Sequence, residues 1–297
     1  MEYREAHERL EVGLNEVIAS LPADQRRTLV DRDQLDRFLF APDDLVVVVG
    51  QDGLVPNAAK YLGGQLTIGI NPDPARYDGV LCQHPPRLLR ALLEWVRAPT
   101  DREFHVQKRT MLVAEREDGQ RLLSLNELFI GHQTHQSARY RLRVGKREER
   151  QSSSGIICAT GTGCTGWAHS IARQRRIEQD LPTPEADRGV WFVREPFPSV
   201  HTKVSLDFGP ISRADQLEIV SEMAEGGVVF ADGIEADRVE FADGHSLRIR
   251  LADQKLALIV RKQQPVQRVA TPRRGRKGAP HIGALPAPTR APSTGGS

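Results

Sequence analysis

Cysteine is scarce in this 297-residue chain, which holds three: Cys82, Cys158 and Cys164. An odd number at long spacings argues against a disulfide framework, and the expected setting is a reduced cytoplasm. Long apolar runs are missing too. No stretch approaches the roughly 18 apolar residues of a membrane span. The opening MEYREAHERLEVGLNEV is charged throughout and lacks the apolar centre of a secretory signal, so no membrane partner is expected. Nor does one charge sign dominate: 41 Lys and Arg stand against 39 Asp and Glu, and nothing global selects nucleic acid as a partner.

The chain is long enough for two lobes. Leu10, Leu14, Val17, Ile18 and Leu21 recur at helical spacing over residues 3–21, and Pro22 closes the pattern. A second helix is expected at 35–40. Residues 45–49 are five apolar residues in a row, the signature of a buried parallel strand. The turn Gly50-Gln51-Asp52-Gly53, a helix at 56–62 and a strand at 66–70 complete a βαβ unit. After a helix at 87–96 the reading changes to strands, at 104–113, 122–130, 138–144, 155–159, 190–193, 204–208, 217–220, 228–231, 239–241, 247–251 and 256–260. Only 165–176 interrupts them as a helix. The expected fold is α/β: a nucleotide-binding domain over 1–100, a β-rich domain over 101–261, and a basic Pro/Gly/Ala-rich tail over 262–297 expected to be disordered.

Two glycine turns carry chemistry. Gly50-x-Asp52-Gly53 stands at the carboxyl end of a parallel strand, where α/β folds bind ligands. Its glycines permit close phosphate approach, and Asp52 can accept a hydrogen bond from a ribose hydroxyl. The same residues also describe a tight turn whose Asp caps the next helix. The second turn, Gly161-Thr162-Gly163-Cys164-Thr165-Gly166, satisfies G-x-G-x-x-G after the strand-like GIICA. A dinucleotide-dependent oxidoreductase would need an acidic residue about 20 positions on, at the end of the next strand. Asp187 precedes the strand VWFV and Glu195 lies too far along.

Gly50-Gln51-Asp52-Gly53-Leu54 resembles the Gly-Gly-Asp-Gly-Thr turn of the NAD kinases. LNELFIG (125–131) resembles their Asn-Glu motif, and SSGIICATGTG (153–163) their later glycine-rich turn. With IGINPDP (68–74), Arg194-Glu195-Pro196 and Ala231-Asp232-Gly233, the likeness is to the mitochondrial branch of the family and covers residues 45–260. The resemblance implies a fold of the NAD kinase/diacylglycerol kinase-like type. It implies NAD(H) as acceptor, phosphorylated on the 2′-hydroxyl of its adenosine ribose, with ATP or polyphosphate as donor, Mg2+ as the divalent metal, and a homodimer. Asp52 would be the catalytic residue, and Asn126 with Glu127 would hold the adenosine moiety. Gly50, Gly53, Ser154, Thr160, Thr162, Gly163, Thr165 and Asp232 would complete the nucleotide contacts, with no residue assigned as a metal ligand.

The pattern is departed from in places. Gln51 replaces the family's second glycine and Leu54 its threonine, which puts the donor's phosphate cradle in doubt. A non-catalytic NAD(H)-binding regulatory protein is therefore the alternative, and a lipid kinase of the same superfamily is disfavoured by the Asn-Glu and Thr-Gly-Thr-Gly motifs. Ser154 stands where many bacterial relatives carry aspartate, and Cys164, in place of a family serine, is a candidate reactive thiol. The branch's opening strand is missing, so the expectation is a shortened member or a start further upstream. Cys82, His84, His132 and His135 complete no zinc set and read as structural or surface residues. Lys108 and Arg109 read as a solvated charged pair, and Arg273, Arg274, Arg276 and Lys277 as a solubilising tail.

Overall fold

Residues 2–100 and 103–262 are described by the structure, a computed structural model. The basic tail beyond Lys262 lies outside the described residues. Chain order runs α1 (Glu2–Ser20), β1 (Leu45–Val49), α2 (Leu54–Ala59), β2 (Leu66–Ile70) and α3 (Leu89–Arg97). Strands then dominate: β3 (Phe104–Arg116), β4 (Arg121–Ser124), β5 (Glu127–His132), β6 (Ala138–Val144), β7 (Arg147–Ser153) and β8 (Ile156–Ala159). After α4 (Trp167–Arg175) come β9 (Gly189–Val193), β10 (Phe208–Ile211), β11 (Leu217–Ser221), β12 (Gly227–Ala231), β13 (Ile234–Glu240) and β14 (Ser246–Arg261). The expected order, an α/β start followed by a β-rich remainder, is what the structure shows.

The strands form two sheets. In the eight-stranded sheet, β1 and β2 pair in parallel, and the last part of β14 joins them, Leu66 opposite Ala257 and Ile68 opposite Ile259. β3 runs antiparallel along the full length of β14, while β11, β6 and β7 extend the sheet beyond. The six-stranded sheet, ordered β10-β9-β8-β5-β12-β13, is antiparallel throughout. Between the sheets lies the largest core, with Leu128, Ile130, Tyr140, Trp191 and Ile249 fully or almost fully buried. The parallel strands are covered on one face by α1 and α3, through Val17, Leu89 and Leu92, and on the other by α2, through Val55, Ala58 and Ala59. α4 covers part of the six-stranded sheet through Ala168, Ile171 and Ala172.

Five expectations need correction, the first being the strand at 239–241, which is the longer β13, Ile234–Glu240, and ends before Phe241. Residues 35–40 are turn and coil with Leu39 exposed, and the Ala41 N–H is held by the Asp44 carboxylate instead of continuing a helix. The single strand read over 122–130 is two strands in different sheets, β4 and β5, divided at Leu125-Asn126. Conversely, 247–251 and 256–260 are one strand, β14, with a register irregularity between Leu251 and Lys255. The strand read at 204–208 lies at 208–211, because the N–H groups of Ser205 and Leu206 go to the Glu149 carboxylate and not to a ladder. One strand was unread altogether. β7 turns Glu149, Gln151 and Ser153 inward, so it lacks the apolar alternation that marks a strand.

Candidate active site

The Asp52 turn is tied to the sheet by the Gly50 N–H, which donates to the Ile70 carbonyl at 3.0 Å. Its carboxylate reaches across to the segment after β2. Oδ2 accepts the Val80 N–H at 2.6 Å, and Oδ1 accepts those of Leu81 at 3.0 Å and Cys82 at 2.8 Å. That segment is shaped by Asn71, which donates to the Tyr77 carbonyl at 2.7 Å and accepts the Asp73 N–H at 3.0 Å. A carboxylate offers about four lone-pair positions. Three are taken by N–H groups, and the fourth, on Oδ2, is left for a ligand. Gly53 is exposed, and a Cβ there would meet nothing within 4 Å. Leu54, at the family's threonine position and the first residue of α2, packs partly buried against the core.

The second centre forms where the chain crosses between sheets. Asp232 sits at the β12–β13 turn with φ 55°, in the left-handed region that Asp tolerates better than most residues. Its carboxylate accepts the Ser124 hydroxyl at 3.1 Å and the N–H groups of Leu125 at 3.2 Å, Asn126 at 2.7 Å and Glu127 at 3.3 Å. From the other side, the Asn126 carbonyl accepts the Thr160 N–H at 2.9 Å. The Thr160 hydroxyl donates to the Leu125 carbonyl at 2.5 Å and accepts from Thr162 and Gly163 at 3.0 and 3.3 Å. Thus the Asn126 backbone is fixed from both sides. Its half-buried side chain makes no hydrogen bond among the described residues.

Electrostatics follow from this enclosure. Burial, with the Asp232 charge adding to it, pushes the Glu127 carboxyl up to about 7. Burial also raises Asp232, against the opposing effects of the Asn126 N–H and the nearby Lys60 ammonium. Gly161 and Gly163 serve packing: a Cβ at Gly161 would overlap the Thr183 carbonyl, and one at Gly163 the Asn126 carbonyl. Thr165 is exposed, its hydroxyl donating to the Thr162 carbonyl at 3.1 Å. Ser154 is not brought to this centre. It is exposed beyond the opposite end of β8 from Thr160, its N–H on the Arg194 carbonyl.

Two features link the centres. Leu125 packs in one core with Val55 and Ala58 of α2, and Arg109 stands between the turns. The expectation of a solvated Lys108–Arg109 pair fails for the arginine: Lys108 is exposed, but Arg109 is 5% exposed. Its Nη1 donates to the Thr162 hydroxyl at 3.4 Å and its Nη2 to Gln107 at 2.9 Å. Burial lowers its pKa, while the charges of Glu185 and Asp52 act the other way. The sequence reading missed this role because a lone Lys-Arg pair in a strand ordinarily faces water. It also missed an aromatic stack beside the second turn. Phe129 and Trp167 lie parallel within 7° at 6.1 Å, Phe230 stacks on Phe129 at 4.8 Å, and the Arg194 guanidinium lies 5.0 Å from the Trp167 ring.

The three cysteines are buried and free. Burial pushes the Cys164 thiol up to about 12, so it stays protonated near neutral pH and is no activated thiolate. Among the described residues, no three His, Cys, Asp or Glu gather as a metal cage, and no helix is long and apolar enough to cross a membrane.

No family model matches the chain. It is similar to mitochondrial NAD kinase 2 of Rattus norvegicus, 27% identical over 188 aligned positions that cover 49% of this chain and 44% of that protein. Against the Homo sapiens protein the figures are 28%, 49% and 42%. The match thus spans less than half the length of these curated relatives. Among solved structures, a yeast NADH kinase complexed with NADH superposes with TM-score 0.57 at 15% identity, covering 74% of this chain and 62% of that one. An NAD kinase from Archaeoglobus fulgidus in complex with ATP gives 0.53 at 22%, with 76% and 79% covered. The chain has the fold of the NAD kinases and resembles the mitochondrial ones in sequence.

Proposed function

We propose that the chain is an NAD kinase, moving a phosphoryl group from ATP or polyphosphate to the 2′-hydroxyl of the adenosine ribose of NAD(H). The observation that carries this is the pinning of Asn126. Asp232 and Thr160 fix its backbone from opposite sides while its amide meets no hydrogen-bond partner among the described residues, as suits a residue that reads a nucleobase or ribose. Glu127 and the Thr160–Thr165 turn line the same place, and Asp52 supplies the remaining acceptor.

In the transfer, the 2′-oxygen attacks the terminal phosphorus, the bond to the bridging donor oxygen breaks, and the hydroxyl proton passes to the free lone pair of Asp52 Oδ2. Phosphoryl transfer demands position and charge neutralisation more than covalent chemistry. The backbone donors from Val80, Leu81 and Cys82 hold the Asp52 carboxylate in one orientation. Gln51 is exposed beside it, and its amide can donate to a donor phosphate that the missing glycine would have met through backbone. Were Mg2+ to enter with the donor phosphates, Asp52 is the carboxylate that the turn itself offers it. Mg2+ would supply neutralisation of the phosphate charge.

The reading includes division of the site between residues 1–100 and 101–261, a homodimer, and a cytoplasmic setting, with which three buried free cysteines accord. The test is incubation of the full chain with NAD or NADH, Mg2+, and ATP or polyphosphate, and assay of the 2′-phosphorylated product. No product with either donor, despite tight NAD binding, would leave a binding protein and not a kinase.

A further inference from the structure

We infer that Arg109 is an anion anchor, taking a phosphoryl or pyrophosphoryl group of the bound nucleotide on the Nε–Nη2 edge of its guanidinium. The residue is 5% exposed, yet it makes no ion pair among the described residues. Its two hydrogen bonds go to neutral acceptors, the Thr162 hydroxyl and the Gln107 amide. Its Nε is buried with no acceptor among the described residues. A buried charge is strongly unfavourable unless paired, and a buried donor without a partner adds to the cost. Glu185 and Asp52 lie close enough for their charges to be felt, but neither is within ion-pair distance of it: three lone pairs of the Asp52 carboxylate are taken by Val80–Cys82, and the Glu185 carboxylate accepts the Lys108 N–H at 3.2 Å.

Nε and Nη2 form one planar edge of the guanidinium, the geometry that binds two oxygens of a phosphate side by side. Among the described residues, the one hydrogen-bond acceptor on that edge is the amide oxygen of Gln107, a half-buried side chain. An incoming anion displaces it, while Nη1 keeps its contact to Thr162. The location, between the Asp52 turn and the Thr162 turn, is where a nucleotide spanning both would place its phosphates. Calling the anion a nucleotide phosphate rests on the proposed function; the anion site itself does not. Either the donor's phosphates or the acceptor's pyrophosphate has this chemistry.

The probe is inorganic pyrophosphate, with ATP, NAD and adenosine as further arms, titrated calorimetrically into the full chain and its Arg109→Met and Arg109→Lys variants. Loss of a charge-assisted bidentate contact costs about 10- to 100-fold in affinity, so Arg109→Met should weaken pyrophosphate by that factor and leave adenosine unchanged. It should also melt no lower than wild type without ligand, since an unpaired buried charge is gone. Weakening confined to ATP assigns the donor, and weakening confined to NAD the acceptor. Should Arg109→Met not fold, Arg109→Lys decides: it keeps the charge and loses the edge, and should bind pyrophosphate about 10-fold more weakly. Unchanged pyrophosphate affinity in the folded Met variant, or in the Lys variant, overturns the inference, as does absence of any anion binding by wild type. If 2′-phosphorylated product forms while Arg109→Met keeps every affinity, the anchor fails and the kinase stands. Pyrophosphate binding through Arg109 without product has the reverse meaning.

Discussion

The two glycine turns look alike in sequence and differ in what their glycines are for. In the first, Gly53 is exposed and has open space where a side chain would stand. In the second, Gly161 and Gly163 are buried, pressed against the carbonyls of Thr183 and Asn126. One glycine leaves room for something to arrive; the others let two segments of the protein touch. A glycine-rich motif therefore does not by itself announce a phosphate cradle. Here the second turn builds the floor on which Asn126 rests, and the first keeps the approach to Asp52 clear.

The largest effect should come from filling the packed turn. Gly163→Ala places a methyl into the Asn126 carbonyl, and neither backbone can yield without breaking the Thr160 and Asp232 hydrogen bonds. We expect a loss of at least about 3 kcal/mol, read as a lowered unfolding midpoint, together with loss of NAD binding. A variant as stable as wild type would mean the turn and Asn126 are separable, and the comparison of the two turns would collapse.

Next is Asp52→Asn, which should reduce turnover on the order of 100-fold or more, about 2.7 kcal/mol. Because asparagine keeps one acceptor oxygen where the carboxylate has two, the Val80–Cys82 segment loosens as well. The midpoint should fall modestly while NAD affinity changes little. Equal losses in stability and turnover, or an undiminished rate, would make Asp52 an anchor of that segment and nothing more.

Much of this was legible beforehand because it lies in short, locally ordered signals. The apolar run at β1, the turn after it and α2 declare themselves, and so does the motif order from Asp52 through Asn126 to Thr160. What stayed hidden depends on partners distant in sequence. Leu122 to Ile130 reads as one apolar strand, and only the Asp232 carboxylate, about a hundred residues away, breaks it at Asn126. β7 hid because its inward residues are polar and satisfied by Tyr140 and by the 205–206 backbone. Arg109 hid because burial of a charge in a strand has no local signature.

A smaller effect probes the enclosed second centre through pH. Glu127 is raised from the ordinary 4.5 to about 7, and Asp232 is raised as well. Between these values the folded state binds the proton that the unfolded chain has released. The stability tied to that proton is full below about pH 4.5 and lost as pH rises through about 7. Glu127→Gln removes the dependence. Relative to wild type it should gain stability between pH 5 and 8, by roughly 2 kcal/mol once partial exposure is allowed for. Parallel pH profiles for the two proteins would show that Glu127 is solvated in solution.

The smallest effect belongs to the open turn and separates its stability from its use. Gly53 has φ −62° and ψ −16°, helical values at the start of α2, so alanine fits without strain. Removing glycine's freedom in the unfolded chain should stabilise by about 0.4–1 kcal/mol. Among the described residues no atom lies within 4 Å of the new methyl, so none of them objects sterically. Any loss of activity must then come from whatever approaches the turn from outside. If donor phosphates lie against this backbone, Gly53→Ala should raise the KM for ATP several-fold and leave that for NAD unchanged, in a protein that melts slightly higher. Gly53→Val should sharpen both trends. A variant more stable than wild type with an unaltered KM for ATP would place the donor elsewhere, and the open glycine would then be a turn residue like any other.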